Sequence, residues 1–289
     1  MGLELTAKDW VFLAREAVAN GTVFLLLTGG EPLLRPDFFD IYEPIRAMGL
    51  SLVLFTNGTL LTREVARRLA SRPPNRLEIT LYGASQSAYE TITGVPGSYA
   101  RCVAGMDSLR SAGVPFSLKT TLNNHNIAEL DAMKAMAREW GVVFAPSWLV
   151  TPRRDRKESC LAAYRLQPHQ VVALEAAQPW DTAPAPHPAG AFSCHAGTAS
   201  YVVNAAGEMN VCMDLPRPAA RVLECGFRAA WERVNRLVDS VSPQTSCTGC
   251  RLEPFCPRCP AFAWLETGDI ASAVPYFCQI AAERRERSQ

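Results

Sequence analysis

The sequence predicts an α/β chain: parallel βα repeats followed by a small cysteine-rich module. Three observations carry this. Apolar, strand-like runs alternate with helical patterns at roughly 25–35 residues per unit through the first half of the chain. After residue 150 the alternation stops in a charged and then proline-rich stretch. Of the 10 cysteines, eight lie at or beyond Cys194. Such repeats close as a barrel or spread as a doubly wound sheet, and both bind ligands at the carboxyl ends of their strands.

The elements follow in order. From Thr6, a helix cap, "TAKDWVFLAREAVANG" sets Trp10, Phe12, Leu13, Ala17 and Val18 at helical spacing and stops at Gly21. "TVFLLL" then reads as a strand covered on both faces. Helices over about 37–48, 62–71, 98–112 and 127–140 lead into strands over 50–55, 76–82, 114–122 and 142–150. Pro168 opens a helix to about 177, and 199–212 reads as two short strands around an Asn204–Gly207 turn. The expected organisation is a βα domain over 1–152, a linker with a helix and a Pro-rich segment over 153–190, and a cysteine-rich domain over 191–289.

Composition narrows the function. With 289 residues and 48% hydrophobic content the chain can bury one large core and an appended module. Lys and Arg number 29 against 28 Asp and Glu, so the net charge of +1 points to neither nucleic acid nor an anionic membrane as a partner. No apolar run reaches the about 18 residues of a membrane span, and the first residues lack a signal peptide's basic start and apolar core. A cytoplasmic chain is expected, in which clustered cysteines read as metal ligands before disulfides.

The strand ends hold the first candidates. "LTGGEPLL" follows the first strand: Gly29 and Gly30 let a backbone approach a ligand closely, and Glu31 accepts from an ammonium. A glycine turn with Pro32 at a first helical turn accounts for the same residues, except the glutamate. The second strand ends in "FTNGTLLT", where Asn57-Gly58 suits a tight turn and Thr62 an N-cap. Thr80, Ser85, Lys119, Thr121 and Asn123 follow the third and fourth strands. There Lys119 either meets a carboxylate or snorkels from a strand edge.

The cysteines form the second candidate site. Cys247, Cys250, Cys256 and Cys259 are spaced C-x2-C-x5-C-x2-C, with Cys278 beyond and Cys194 and Cys212 flanking the expected hairpin. Two C-x2-C pairs suit a tetrahedral zinc, whereas seven thiols suit two iron–sulfur clusters, and spacing leaves both open. Cys102 and Cys225 read as small buried hydrophobes.

Together "LTGGEPLL", "FTNGTLLT", "ITLYGAS" and the seven-cysteine pattern resemble a radical S-adenosylmethionine (radical SAM) enzyme with a C-terminal SPASM auxiliary-cluster domain, over nearly the whole chain. The resemblance implies a partial (β/α)6 TIM-like barrel, here lacking its first strand, and a SPASM domain with a β-hairpin. It implies that Thr28, Gly29, Gly30, Glu31 and Pro32 bind the methionine ammonium of S-adenosylmethionine. Thr56, Asn57, Thr80, Ser85, Lys119 and Thr121 would then face its ribose and carboxylate. It further implies one auxiliary 4Fe-4S cluster on Cys194, Cys212 and Cys259 and another on Cys247, Cys250, Cys256 and Cys278, the first taking Cys160 or leaving one iron open. The implied activity is radical modification or maturation of a peptide or protein, with electrons from a small donor such as flavodoxin or ferredoxin.

Two departures qualify this. The last cysteine spacing is x2 rather than x3. No C-x3-C-x2-C occurs, since no cysteine precedes Cys102, so the cluster that cleaves the cofactor has no ligands here. An N-terminally truncated chain, inactive alone, is the expectation. The rival class is a non-catalytic zinc- or iron–sulfur-binding βα adaptor or electron-transfer protein.

Overall fold

A computed structural model describes residues 4–155, 157, 160–177, 192, 194–241 and 247–288. The expected Pro-rich segment of 178–190 lies outside the described residues. Two compact units form, Thr6–Val150 and Thr151–Gln289 with Met1–Leu5.

In the first unit, helix α1 (Ala7–Ala19) begins at a capping box: Asp9 N–H donates to Thr6 Oγ1, and the Asp9 carboxylate accepts from Thr6 N–H. Strands β1 (Phe24–Leu27), β2 (Ser51–Thr56), β3 (Arg76–Thr80), β4 (Ser117–Thr121) and β5 (Phe144–Ser147) form one parallel sheet in the order β1-β2-β3-β4-β5. The order is sequential and has no reversal, so the switch point that defines a doubly wound sheet is absent. Helices α2 (Phe38–Arg46), α3 (Arg63–Ser71), α4 (Gln86–Thr93), α5 (Ser98–Ser111) and α6 (Leu130–Trp140) fill the connections. The sequence reading has no counterpart of α4, a helix of eight residues with Ser85 as its N-cap.

Burial alternates along the central strands. Leu52, Leu54, Leu77, Ile79 and Leu118 are at most 1% exposed and form the core with Ala66, Leu69, Met106, Leu109 and Met133. The intervening Phe55, Glu78, Thr80, Lys119 and Thr121 are only half-buried and share the opposite face. The expectation that β1 is covered on both faces does not hold. It is an edge strand, and Phe24 is 74% exposed.

In the second unit, α7 (Leu161–Tyr164) precedes α8 (Pro168–Ala177), and β6 (Val202–Val203), β7 (Glu208–Asn210) and β8 (Ala220–Arg221) make an antiparallel sheet, one strand more than expected. Helices α9 (Val222–Cys225), α10 (Phe227–Ser240), α11 (Pro260–Thr267) and α12 (Pro275–Arg287) follow. Helix α8, expected within a linker, instead packs on α12. Arg284 makes a bidentate pair with Glu175 (2.6 and 2.9 Å) and donates to the Phe255 carbonyl at 2.7 Å. Beside it, Arg165 pairs with Glu266 at 2.7 Å and lies over the Tyr276 ring. These charges are largely buried and mutually paired, so they fix α8, α11 and α12 relative to one another.

Candidate functional site

The first site lies at the carboxyl ends of β1–β4. Glu31, 8% exposed, follows β1 in extended conformation just before a 3-10 turn at Pro32–Leu34. Its carboxylate accepts from Thr56 Oγ1 at 2.8 Å, Asn57 N–H at 2.6 Å and Leu33 N–H at 3.1 Å. Three donors of this chain therefore hold the carboxylate that the sequence offered to an ammonium, and Glu31 ties the end of β1 to the end of β2. A Cβ at Gly29 or Gly30 would meet nothing within 4 Å. No side chain crowds these positions, so the main chain is open to close approach by a ligand, although the φ of +157° at Gly29 itself favours glycine.

Asn57 turns inward on its own loop, its Oδ1 accepting from Thr59 N–H and Oγ1 at 2.9 and 2.7 Å. Gly58 has φ +79°, and a Cβ there would lie 3.0 Å from Ile79 Cγ2 and 3.2 Å from Cys102 Sγ. Cys102 is fully buried, as its helical context predicted. Ser85 caps α4, accepting from Ala88 N–H at 3.2 Å, and donates its hydroxyl to Glu129. Glu129 also accepts from the N–H groups of Ala84 (2.7 Å) and Ser85 (3.1 Å). Asn126, fully buried, donates to the carbonyls of Tyr82 (3.0 Å) and Thr121 (3.1 Å), joining the segments that follow β3 and β4.

Thr80 and Lys119 are register partners, and with Thr121 they occupy the half-buried face. Lys119 Nζ stands 2.8 Å from the centroid of the Phe55 ring and 3.8 Å from Glu78 Oε2, while Arg76 Nε holds Glu78 Oε1 at 2.9 Å. Burial pushes the Lys119 ammonium down to about 8, against the opposing pull of Glu78. The structure thus brings Glu31, Thr56 and Asn57 together and sets Thr80, Lys119 and Thr121 on one face. Ser85 is joined to Glu129 instead. Sequence reasoning missed Glu78 and Phe55, although the strict alternation of "RLEIT" marks Glu78 as a neighbour of Thr80 on that face.

The second site is the thiol array, and the described residues contain no disulfide. Cys259 caps α11, and Cys278 lies in the first turn of α12. Burial raises Cys256 to about 11, reinforced by the neighbouring thiols of Cys278, Cys247 and Cys250. Burial likewise raises Cys259 to about 11, but its thiol neighbours are Cys212 and Cys194. Burial also raises Cys212, next to Cys194, and raises Cys278, next to Cys247 and Cys250. The sulfurs accept from main-chain N–H groups: Ala261 and Phe262 donate to Cys259, Arg258 to Cys256, and Asp214 and Leu215 to Cys212.

Seven thiols therefore sort into one set of four and one of three, and the sets divide between Cys256 and Cys259. Among the described residues, no three His, Cys, Asp or Glu side chains close on a single ion. Thiolates are the ligands of both tetrahedral zinc and iron–sulfur clusters, so the chemistry of the donor set fits either. Cys160 is exposed, and Cys225 is half-buried.

Comparison with known proteins covers both sites. The profile described as the Radical SAM superfamily matches residues 2–137. An AdoMet-dependent heme synthase of Methanosarcina barkeri is 30% identical over 94% of this chain and 87% of its own length. A PqqA peptide cyclase of Gluconobacter oxydans is 29% identical over 48% of this chain but 38% of its own length. Among solved structures, S-adenosylmethionine-bound SuiB of Streptococcus suis aligns over 95% of this chain and 70% of its own, with TM-score 0.74 and 14% identity. An anSMEcpe structure with AdoMet and a peptide aligns over 99% and 90%, with TM-score 0.72 and 16% identity. Those two likenesses bear on fold.

Proposed function

Within the radical SAM superfamily of enzymes, to which this chain belongs, we propose that it is a SPASM-type member acting on a peptide or protein, with a partial (β/α)6 barrel and two auxiliary 4Fe-4S clusters. The observation that carries this reading is the sorting of seven thiols into a set of four and a set of three. Cys247, Cys250, Cys256 and Cys278 would hold one cluster and Cys194, Cys212 and Cys259 the other. Such clusters supply one-electron redox capacity. The chain's part is to supply sulfurs with N–H donors, which favour the thiolate form and partly offset the burial that opposes it.

The strand-end loops are assigned to S-adenosylmethionine, which when bound supplies a radical that abstracts hydrogen from substrate. Thr28, Gly29, Gly30 and Pro32 would take its ammonium through main-chain atoms. Glu31 holds their loop against Thr56 and Asn57, and Thr80, Ser85, Lys119 and Thr121 are assigned to its ribose and carboxylate. The cluster that cleaves the cofactor does not fit these 289 residues, which contain no C-x3-C-x2-C. These 289 residues alone are therefore expected to form no 5′-deoxyadenosine. A cytoplasmic setting with a flavodoxin or ferredoxin as electron donor completes the proposal.

Peptide chemistry is supported by the named relatives PqqA peptide cyclase and Mycofactocin maturase MftC, although this chain spans under two fifths of each. One observation favours a second substrate: the heme synthase of M. barkeri is matched over 94% of this chain. The test begins with anaerobic iron–sulfur reconstitution, expected to give about eight iron per chain. Zinc without iron would return the chain to the adaptor class. Titration with ferric heme then separates the substrates: a shifted Soret band with saturable tryptophan quenching favours the tetrapyrrole, and no response favours the peptide.

A further inference from the structure

The two sulfur sets meet at one side chain. In Cys256-Pro257-Arg258-Cys259, Arg258 separates a thiol of the four-membered set from one of the three-membered set. Its N–H donates to the Cys256 sulfur, and the residue lines a cavity shared with Cys247, Cys256, Cys259 and Cys278. Apart from Ser272 the remaining wall is apolar, so Arg258 is the one cation among the described residues lining it. Its Nη2 atom is shielded from solvent. Arg258 is half-buried, and a charge partly withdrawn from water acts more strongly on its neighbours than one in bulk solvent. A guanidinium also keeps that charge at any working pH.

We propose that Arg258 sets the reduction potential of the auxiliary clusters, as a fixed positive charge between their two ligand sets. Reduction adds one negative charge to a cluster, a nearby cation stabilises that state, and the potential rises. The proposal rests on the sulfur sets being cluster ligands, as read above. A purely structural arginine, tying down the loop between Cys256 and Cys259, would affect folding and iron content but not potential.

The test compares the anaerobically reconstituted 289-residue chain with Arg258→Lys, Arg258→Met and Arg258→Gln, by iron content and EPR-monitored titration with dithionite. Arg258→Met and Arg258→Gln should keep their iron, while at least one cluster becomes about tenfold harder to reduce, a fall of 59 mV for one electron. Arg258→Lys keeps the charge and should stay near the wild type. Full iron with unchanged midpoints in both neutral variants overturns the role of Arg258 and leaves the cluster reading standing. Iron lost from both neutral variants makes the residue structural and likewise overturns it. A wild-type chain that takes up zinc and no iron overturns the cluster reading itself.

Discussion

The strand-end loops of the first unit and the thiol array of the second are organised in opposite ways. In the loops, polar groups are satisfied by the chain: Glu31 accepts from three donors, Glu129 fastens Ala84 and Ser85, and Asn126 joins two carbonyls. In the array, thiols are gathered near one another, and burial with mutual proximity raises Cys256 and Cys259 to about 11. One region is a finished scaffold that a ligand would enter. The other is a donor set in which burial disfavours the thiolates of Cys212, Cys256, Cys259 and Cys278, a cost that a bound metal would offset.

The largest expected effects therefore belong to the second unit. After reconstitution, residues 194–288 should gain strong protection from limited proteolysis while Thr6–Val150 changes little. Equal protection of both units would break the contrast. Cys256→Ser and Cys259→Ser should each lose about four of eight iron, whereas Cys102→Ser should lose none. Loss of all eight from either single variant would mean that the thiols do not form two separate sets.

Next in size is Glu31. Glu31→Ala leaves the Asn57 N–H and Thr56 hydroxyl without their acceptor, at a cost of about 3 kcal/mol in the urea unfolding of the first unit. Glu31→Gln should cost about 2 kcal/mol, since an amide retains one acceptor but sets a donor against those N–H groups. A loss under about 0.5 kcal/mol in both would show that the carboxylate is free for a ligand, not a brace between β1 and β2. Gly58→Ala should cost about 2 kcal/mol. It combines a left-handed φ of +79° with contact against Ile79 and Cys102.

How far these features could be read in advance follows from the distance between partners. Thr6 with Asp9, and Thr62 before α3, are local caps and were legible as such. "RLEIT" alternates visibly, which places Leu77 and Ile79 in the core. The helix Phe227–Ser240 has no counterpart in the sequence reading, although Phe227, Ala230 and Val234 stand at helical spacing and are buried. Glu129 and Asn126 act on residues some 44 positions away, and no local pattern marks them. C-x2-C spacing by itself does not divide Cys256 from Cys259, and in the sequence only the family resemblance assigns them to different sets. A single zinc site would have joined them.

The smallest effect tests the half-buried face of the sheet. Lys119 is held over Phe55 beside Glu78, and burial lowers its proton affinity from 10.5 to about 8. Between those two values the unfolded chain keeps a proton that the folded chain has released, so stability attributable to Lys119 rises with pH across that window. Below about 8 the folded ammonium carries the full penalty. Lys119→Met should therefore be more stable than the wild type at pH 7, by on the order of 1 kcal/mol, because the side chain keeps enough solvent contact to soften the burial. That advantage should shrink steadily above pH 8 and vanish near 10.5. Comparing the two proteins in urea under reducing conditions cancels the other cysteine and tyrosine titrations. A difference that stays constant with pH, or a wild type more stable at pH 7, would mean that Glu78 and the Phe55 ring compensate the buried charge in full, and that this face is as self-satisfied as the loops above it.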